Sequence, residues 1–234
     1  MGAFNRKLAR VFGYDIMRFK KSNSFDATLE RLLSNYTFDC VIDVGANVGL
    51  FSSYCLEHLP SVSVISFEPA SDLAAALKAK AATKTRWTVE QMALGDTAGE
   101  AVLHTSDKSV FNSLNAPKGG AAIDVKFTGQ QVVTLATLDD YASAHGLATY
   151  ENLLIKVDTQ GHDFKVLRGG KQTLGRARAV IVELPFQNIY EGDDNYRDIL
   201  DYMADAGFSL YAIAPISNDK TGAMIEADGF FIRR

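Results

Sequence analysis

The 234-residue chain is short of several features that would each point to a particular class of protein. Its two cysteines, Cys40 and Cys55, are too few for a disulfide framework and lack metal-ligand spacing. They read as buried thiols of a reducing compartment. No apolar run reaches membrane-spanning length, and the first residues lack the apolar core of a signal peptide, so a cytoplasmic protein without an integral membrane segment is expected. Positive charge is also scarce: 24 Lys and Arg stand against 28 Asp and Glu, a net charge of −4. That balance argues against a nucleic-acid-binding surface. Internal repeats and low-complexity linkers are missing too, which at this length favours a single domain.

The charge that is present is unevenly placed. Arg6, Lys7, Arg10, Arg18, Lys20 and Lys21 oppose only Asp15, so the N-terminal arm is basic and the remainder correspondingly acidic. Such an arm can touch an anionic membrane peripherally, or be a solvated leader, the plainer reading. We divide the chain into residues 1–38, a basic arm and one helix, and residues 39–234, the main domain.

The stretch Cys40 to Ser52, C-V-I-D-V-G-A-N-V-G-L-F-S, organises the rest of the chain. It reads as a buried strand ending near Asp43, a turn of small residues, and the start of a helix that Pro60 stops. Upstream, Ser24 or Asp26 caps a helix to Asn35. Downstream, strands are expected at Val62 to Phe67 and Thr88 to Ala93, with a helix capped by Ser71 between them. This β-α-β-α-β pattern is that of a parallel sheet covered on both faces. Residues 98–134 break the rhythm with short antiparallel strands, among them Glu100 to Thr105 and Asp124 to Phe127. Thr137 opens a helix to His145, a fourth strand covers Asn152 to Val157, and a fifth Ala179 to Leu184. A helix from Tyr196 to Ala206 precedes two strands, Phe208 to Ala214 and Met224 to Ile232, whose short connection makes them antiparallel.

Two ligands compete for the turn. A dinucleotide fingerprint needs G-x-G-x-x-G, whereas Gly45-Ala46-Asn47-Val48-Gly49 lacks that spacing. An aspartate ending the strand is awkward beside a pyrophosphate and suits a cationic amino-acid head group with a sulfonium behind it, as in S-adenosylmethionine. Glu68-Pro69 closes the second strand, where a carboxylate can accept both ribose hydroxyls in either kind of site. Met92 and Ala93 close the third, beside the place of an adenine. A nicotinamide-dependent oxidoreductase therefore remains the alternative, with a catalytically silent binding module as a third reading.

Taken together, V-I-D-V-G-A-N-V-G-L-F-S, F-E-P at Phe67 to Pro69, A-L-G-D at Ala93 to Asp96, F-N-S-L at Phe111 to Leu114 and K-V-D-T-Q-G-H-D at Lys156 to Asp163 resemble the FkbM-type methyltransferases, as do V-L-R-G-G, I-V-E-L and D-G-F-F-I-R-R. The resemblance runs from about residue 39 onward. It implies a Rossmann-like, doubly wound, mostly parallel seven-stranded α/β sheet with an antiparallel C-terminal strand, transferring methyl from S-adenosylmethionine to an oxygen of a carbohydrate, glycan or natural product. The family often has Asp-x-Glu-Gly-His-Glu after the fourth strand; here Gln160 replaces the glutamate.

Methyl transfer to a hydroxyl requires the acceptor oxygen to be aligned and its proton removed. His162, with an ordinary pKa of about 6.5, and Asp158 are the catalytic candidates at the end of the fourth strand. His162 serves equally well as a residue that only orders the loop. Asp158 also joins Asp43, Gly45, Ala46, Asn47, Gly49, Glu68, Pro69, Met92 and Ala93 as a cofactor-binding candidate. Asp158 with Glu183 could hold Mg²⁺, but two carboxylates without a third ligand disfavour it. For the acceptor we expect Asn112, Ser113, Gln187, Asn188 and Tyr190, with Tyr196, from loops 106–120 and 186–196 overhanging the crevice. Asp228 is expected to brace the cofactor loop or close a turn.

Overall fold

The computed structural model describes residues 24–116, 118, 125–192 and 195–233. The basic arm of residues 1–21 and part of the expected strand Asp124 to Phe127 lie outside the described residues.

Helix α1 (Phe25–Asn35) is capped by Ser24, whose hydroxyl accepts from the Ala27 amide. Strand β1 (Cys40–Val44), α2 (Leu50–His58), β2 (Ser63–Phe67), α3 (Ser71–Ala81) and β3 (Trp87–Glu90) come next in the expected alternation. The third strand then departs from expectation. It ends at Glu90, and Ala93–Gly95 forms a separate strand, β4, in a second sheet with β5 (Gly99–Ser106) and β6 (Phe127–Thr137). Residues 91 and 92 carry the chain from one sheet to the other. Ser71 is also not a cap: Ala70 holds that position, and its amide donates to Glu68 Oε1.

After α4 (Leu138–Ala144), capped by Thr137 as expected, come β7 (Leu153–Val157), α5 (Asp163–Gly169), α6 (Lys171–Leu174), β8 (Ala177–Pro185), α7 (Tyr196–Asp205), β9 (Phe208–Asn218) and β10 (Met224–Arg233). The main sheet has the order β3-β2-β1-β7-β8-β10-β9. Neighbours from β3 to β8 are parallel, and β10 runs antiparallel to both β8 and β9. The seven-stranded, mostly parallel sheet is thus as expected.

Strand alternation explains the two cores. Cys40, Ile42 and Val44 of β1 share one core with Leu153, Ile155, Val180, Val182, Leu138 and Met203. Val41, Leu154, Ile181 and Phe230 face the other side, under Leu29 and Leu32 of α1 and Phe51 and Cys55 of α2. Helix α1 therefore packs into the same core as the sheet, with Phe25 and Phe230 ring centroids 5.4 Å apart. Continued toward the C-terminal strand ends, this second face carries charge: Asp43 is in register with Lys156, and Glu183 with Asp228. An α/β sheet gathers its ligands there.

Candidate active site

A cavity of about 750 Å³ opens at these strand ends. Its floor includes Asp43, Glu68, Lys156, Asp158, Glu183, Glu226 and Asp228. Its walls include Phe25 and Leu29 of α1, Leu50, Phe51 and Tyr54 of α2, Met92, Asn112 and Ile216.

The glycine turn is set by close packing. Gly45 and Ala46 both donate their amides to the Phe67 carbonyl, and Asp158 donates its amide to Val44. Gly45 has φ +80°, and a Cβ there would lie 1.9 Å from the Asp158 carbonyl oxygen. Only glycine has both the conformation and the space.

Asp43 is held from behind by a chain of hydrogen bonds. Ser52 Oγ donates to Asp43 Oδ2 at 2.6 Å, Ser66 Oγ lies 2.7 Å from Ser52 Oγ, and Trp87 Nε1 donates to Ser66 Oγ at 2.8 Å. Because Ser52 spends its proton on the carboxylate, Ser66 must donate to Ser52. The other oxygen, Asp43 Oδ1, is buried with no hydrogen-bond partner among the described residues. Burial pushes the Asp43 carboxyl above its ordinary pKa, against the pull of Lys156 and Ser52. A carboxylate with one oxygen pinned and the other open is a ready partner for a cationic group.

Glu68 closes the same side. Its Oε2 accepts from the Asn47 amide at 2.8 Å and its Oε1 from the Ala70 amide at 2.9 Å, leaving further lone pairs on both oxygens for vicinal hydroxyls. Burial raises its pKa to about 7 despite those two bonds.

At the centre, Lys156 donates to Asp158 Oδ2 at 2.8 Å and lies 5.7 Å from the Phe51 ring centroid. Burial works against its charge, but Asp158 and Asp43 outweigh that and hold the ammonium above its ordinary pKa. Asp158 is in turn kept low by Lys156 against its own burial. Gln160, at φ +55°, spreads its side chain between neighbours: Nε2 donates to Asp158 Oδ1 (3.2 Å) and Glu183 Oε2 (3.0 Å), while Oε1 accepts from the Tyr190 hydroxyl (3.0 Å). An amide therefore bridges the two carboxylates that were considered for Mg²⁺.

Of the cofactor candidates, Asp43, Gly45, Ala46, Asn47, Glu68, Pro69, Met92, Ala93 and Asp158 all line the cavity. Gly49 does not; it precedes α2 at φ +74°, packed against Leu77 and Trp87.

The acceptor side needs more correction. Asn112 lines the cavity, but Ser113 is buried and donates to the Gln160 carbonyl at 2.5 Å. Tyr190 is buried beneath Gln160, and Gln187 donates to Asp219, bracing the β9–β10 connection. Asn188 is exposed, and neither it nor Tyr196 is part of the lining. No described residue of segment 186–196 lines the cavity, and residues of α1 together with Ile216 line it instead.

His162 is also corrected. Its ring is buried, outside the cavity lining, against Gly95, and neither nitrogen has a hydrogen-bond partner among the described residues. Burial, helped by Lys165, lowers its pKa to about 4, so it is neutral at physiological pH. Lys156 and Glu226 were missed. The available signal was a charged residue inside an apolar strand, in L-L-I-K-V and M-I-E-A-D.

These shifts give a pH dependence. Glu68, Asp163 and Asp228 all have folded pKa values raised to about 7 by burial. Their contributions to stability are fully present below the unfolded carboxylate values and are lost as pH rises through 7. His162 has the opposite sign, but its contribution is complete once pH exceeds about 6.5. Between pH 6.5 and 8 the ligand-free protein should therefore lose about 1 kcal/mol for each of these three carboxylates. Scanning calorimetry should record a fall in Tm of roughly 4 °C or more over that range. A flat Tm would contradict the burial of these charges.

The arrangement has known counterparts. Residues 43–210 match the model of the methyltransferase FkbM domain. The chain is 30% identical over 184 residues to the 2-O-methyltransferase NoeI of Sinorhizobium fredii, covering 75% of this chain and 74% of that protein. It is 30% identical over 200 residues to the 31-O-demethyl-FK506 methyltransferase FkbM of Streptomyces tacrolimicus, covering 74% of each. In fold it is similar to a Listeria monocytogenes structure assigned to the S-adenosylmethionine-dependent methyltransferases, with TM-score 0.50 and 10% identity over 88% of this chain and 96% of that one. The domain match spans the glycine turn, the β7 end and the carboxylates between them, and the chain belongs to the FkbM methyltransferase family.

Proposed function

We propose that this methyltransferase uses S-adenosylmethionine and methylates a hydroxyl oxygen of a glycan or natural product. The observation that carries the donor is Asp43 Oδ1, a buried carboxylate oxygen with no hydrogen-bond partner among the described residues, on a residue that lines the cavity beside Gly45. The surroundings agree with it: the floor sets six carboxyl groups beside one lysine, Lys156, and burial holds several of them toward their protonated forms, so a cationic ligand that restores their charge is favoured over a pyrophosphate. Asp43 and Asp158 would hold the amino-acid end, the amides and small residues of 45–47 would allow close approach, Glu68 would take the ribose hydroxyls, and Met92 and Ala93 would flank the adenine. When bound, the donor supplies a methyl carbon already activated by its sulfonium. The chain's part is to orient the acceptor, exclude water with Phe25, Leu29 and Tyr54, and accept the hydroxyl proton.

Both named relatives are O-methyltransferases by name, which supports an oxygen acceptor here. We place the enzyme in the cytoplasm, since Cys40 and Cys55 are both free buried thiols. No helix among the described residues is long and apolar enough to cross a membrane. No metal enters this reading, because the Gln160 amide bridges Asp158 and Glu183.

The test has two parts. Calorimetry with S-adenosylmethionine and with NAD should show binding of the first alone; the reverse result would refute the donor. Labelled methyl is then followed onto a panel of methyl glycosides and 31-O-demethyl-FK506. Label found on nitrogen or carbon acceptors, and not on these hydroxyls, would refute the acceptor class.

A further inference from the structure

The mechanism requires a proton acceptor, and His162 does not face the cavity. Among the carboxylates at the strand ends, most are already engaged. Asp158 accepts from Lys156 and Gln160, Glu183 from Gln160, and Glu226 from Ser217. Asp43 keeps one open oxygen but lies on β1, on the side of the glycine turn. Asp228 lies on β10, three strands and roughly 14 Å along the sheet from β1. It lines the cavity, and its carboxylate accepts no hydrogen bond from the described residues. Ile216 and the α1 residues Phe25 and Leu29 bound the same cavity.

Resting on the reading of this cavity as an O-methyl-transfer site, we propose that Asp228 is the base that takes the proton from the acceptor hydroxyl. An Asp228 carboxylate oxygen binds the hydroxyl proton as the acceptor oxygen's electron pair forms the bond to the methyl carbon. The carbon–sulfur bond breaks with its pair remaining on sulfur, and the proton passes from Asp228 to solvent when product leaves. The surrounding charges suit this role. Burial raises Asp228 to about 7 against the pull of Lys156, with Asp158, Glu226 and Asp163 adding to the rise, while Glu183 lies opposite it on β8. A base titrating there is about half ionised at neutral pH and still basic enough to act.

The experiment compares the full chain with Asp228→Asn. If the wild-type protein binds no S-adenosylmethionine, the donor reading itself fails. If it binds, the variant is expected to bind within about threefold of wild type, which also reports that it has folded. With the best acceptor of the panel, transfer by the variant should fall about 10²–10³-fold, and the wild-type rise in rate through pH 7 should disappear. Asp228→Glu, which restores a carboxylate, should regain that pH dependence at a reduced rate. Carbon NMR of aspartate-labelled protein supplies a readout independent of turnover: of the carboxyl resonances that titrate near pH 7 in wild type, where burial also raises Asp163 to about 7, one should be missing from Asp228→Asn. An unchanged rate and profile, loss of donor binding with the base, or a wild-type protein without that resonance would each overturn the assignment.

Discussion

Asp43→Asn is expected to weaken S-adenosylmethionine binding by about 10²–10³-fold while making the ligand-free protein more stable. Both effects come from the same atom. Asp43 Oδ1 is a buried carboxylate oxygen without a partner among the described residues, and burial already pushes the group toward its protonated form. Exchanging it for a neutral amide removes that cost, worth about 1 kcal/mol or roughly 2–4 °C in Tm. Ser52 can still donate to the amide oxygen, so the chain through Ser66 and Trp87 survives. The amide nitrogen then faces the cavity, presenting a donor where a cationic ligand needs an acceptor. Calorimetric titration and thermal melting on one preparation test both halves. Unchanged affinity would remove Asp43 from the donor site, and a lowered Tm would mean that its charge is satisfied in the empty protein.

The second large effect is expected at Gln160→Glu. Gln160 Nε2 donates to Asp158 and Glu183 together, so the substitution sets a third carboxylate against two within about 3 Å. Three such groups cannot all ionise. Glu183 is already raised by burial and by its neighbours Asp158 and Asp163, which leaves little room for more negative charge. At pH 8 the variant should lose about 3 kcal/mol, or roughly 6–12 °C in Tm. Most of this should return at pH 6, where one carboxyl can hold a proton, or on adding millimolar Mg²⁺, which three carboxylates could bind. Melting curves at both pH values, with and without MgCl₂, decide the matter. A variant as stable as wild type at pH 8 without metal would show that the amide does not keep these charges apart.

The side of the cavity proposed to take the donor was legible as a strand-end cluster because local sequence builds it. Asp43, the glycine turn and Glu68 are each fixed by where a strand ends, and alternation along an apolar strand says where that is. The misplaced residues depend on distant partners. His162 begins a helix beside the right strand, yet its ring packs against Gly95, a residue of the second sheet whose missing Cβ makes room for it. Ser113 and Tyr190 have the chemistry of acceptor ligands, but the chain uses them to hold the Gln160 turn. Conversely, nothing local in Phe25 or Leu29 marks them as cavity walls; docking of α1 against Phe230 does that. The split of the third strand was equally hidden, since Gln91 and Met92 resemble continued strand until β6 supplies β4 with a partner.

The position of β10 bears on how the molecule is made. It lies between β8 and β9, both of which leave the ribosome before it. Until β10 emerges, β8 presents an open sheet edge and β9 has no partner in the main sheet, a state exposed to mispairing with other chains. The same late strand brings Glu226 and Asp228 to the cavity floor. A nascent chain stalled before residue 224 has already made the glycine turn and Glu68 but lacks the strand that carries Glu226 and Asp228.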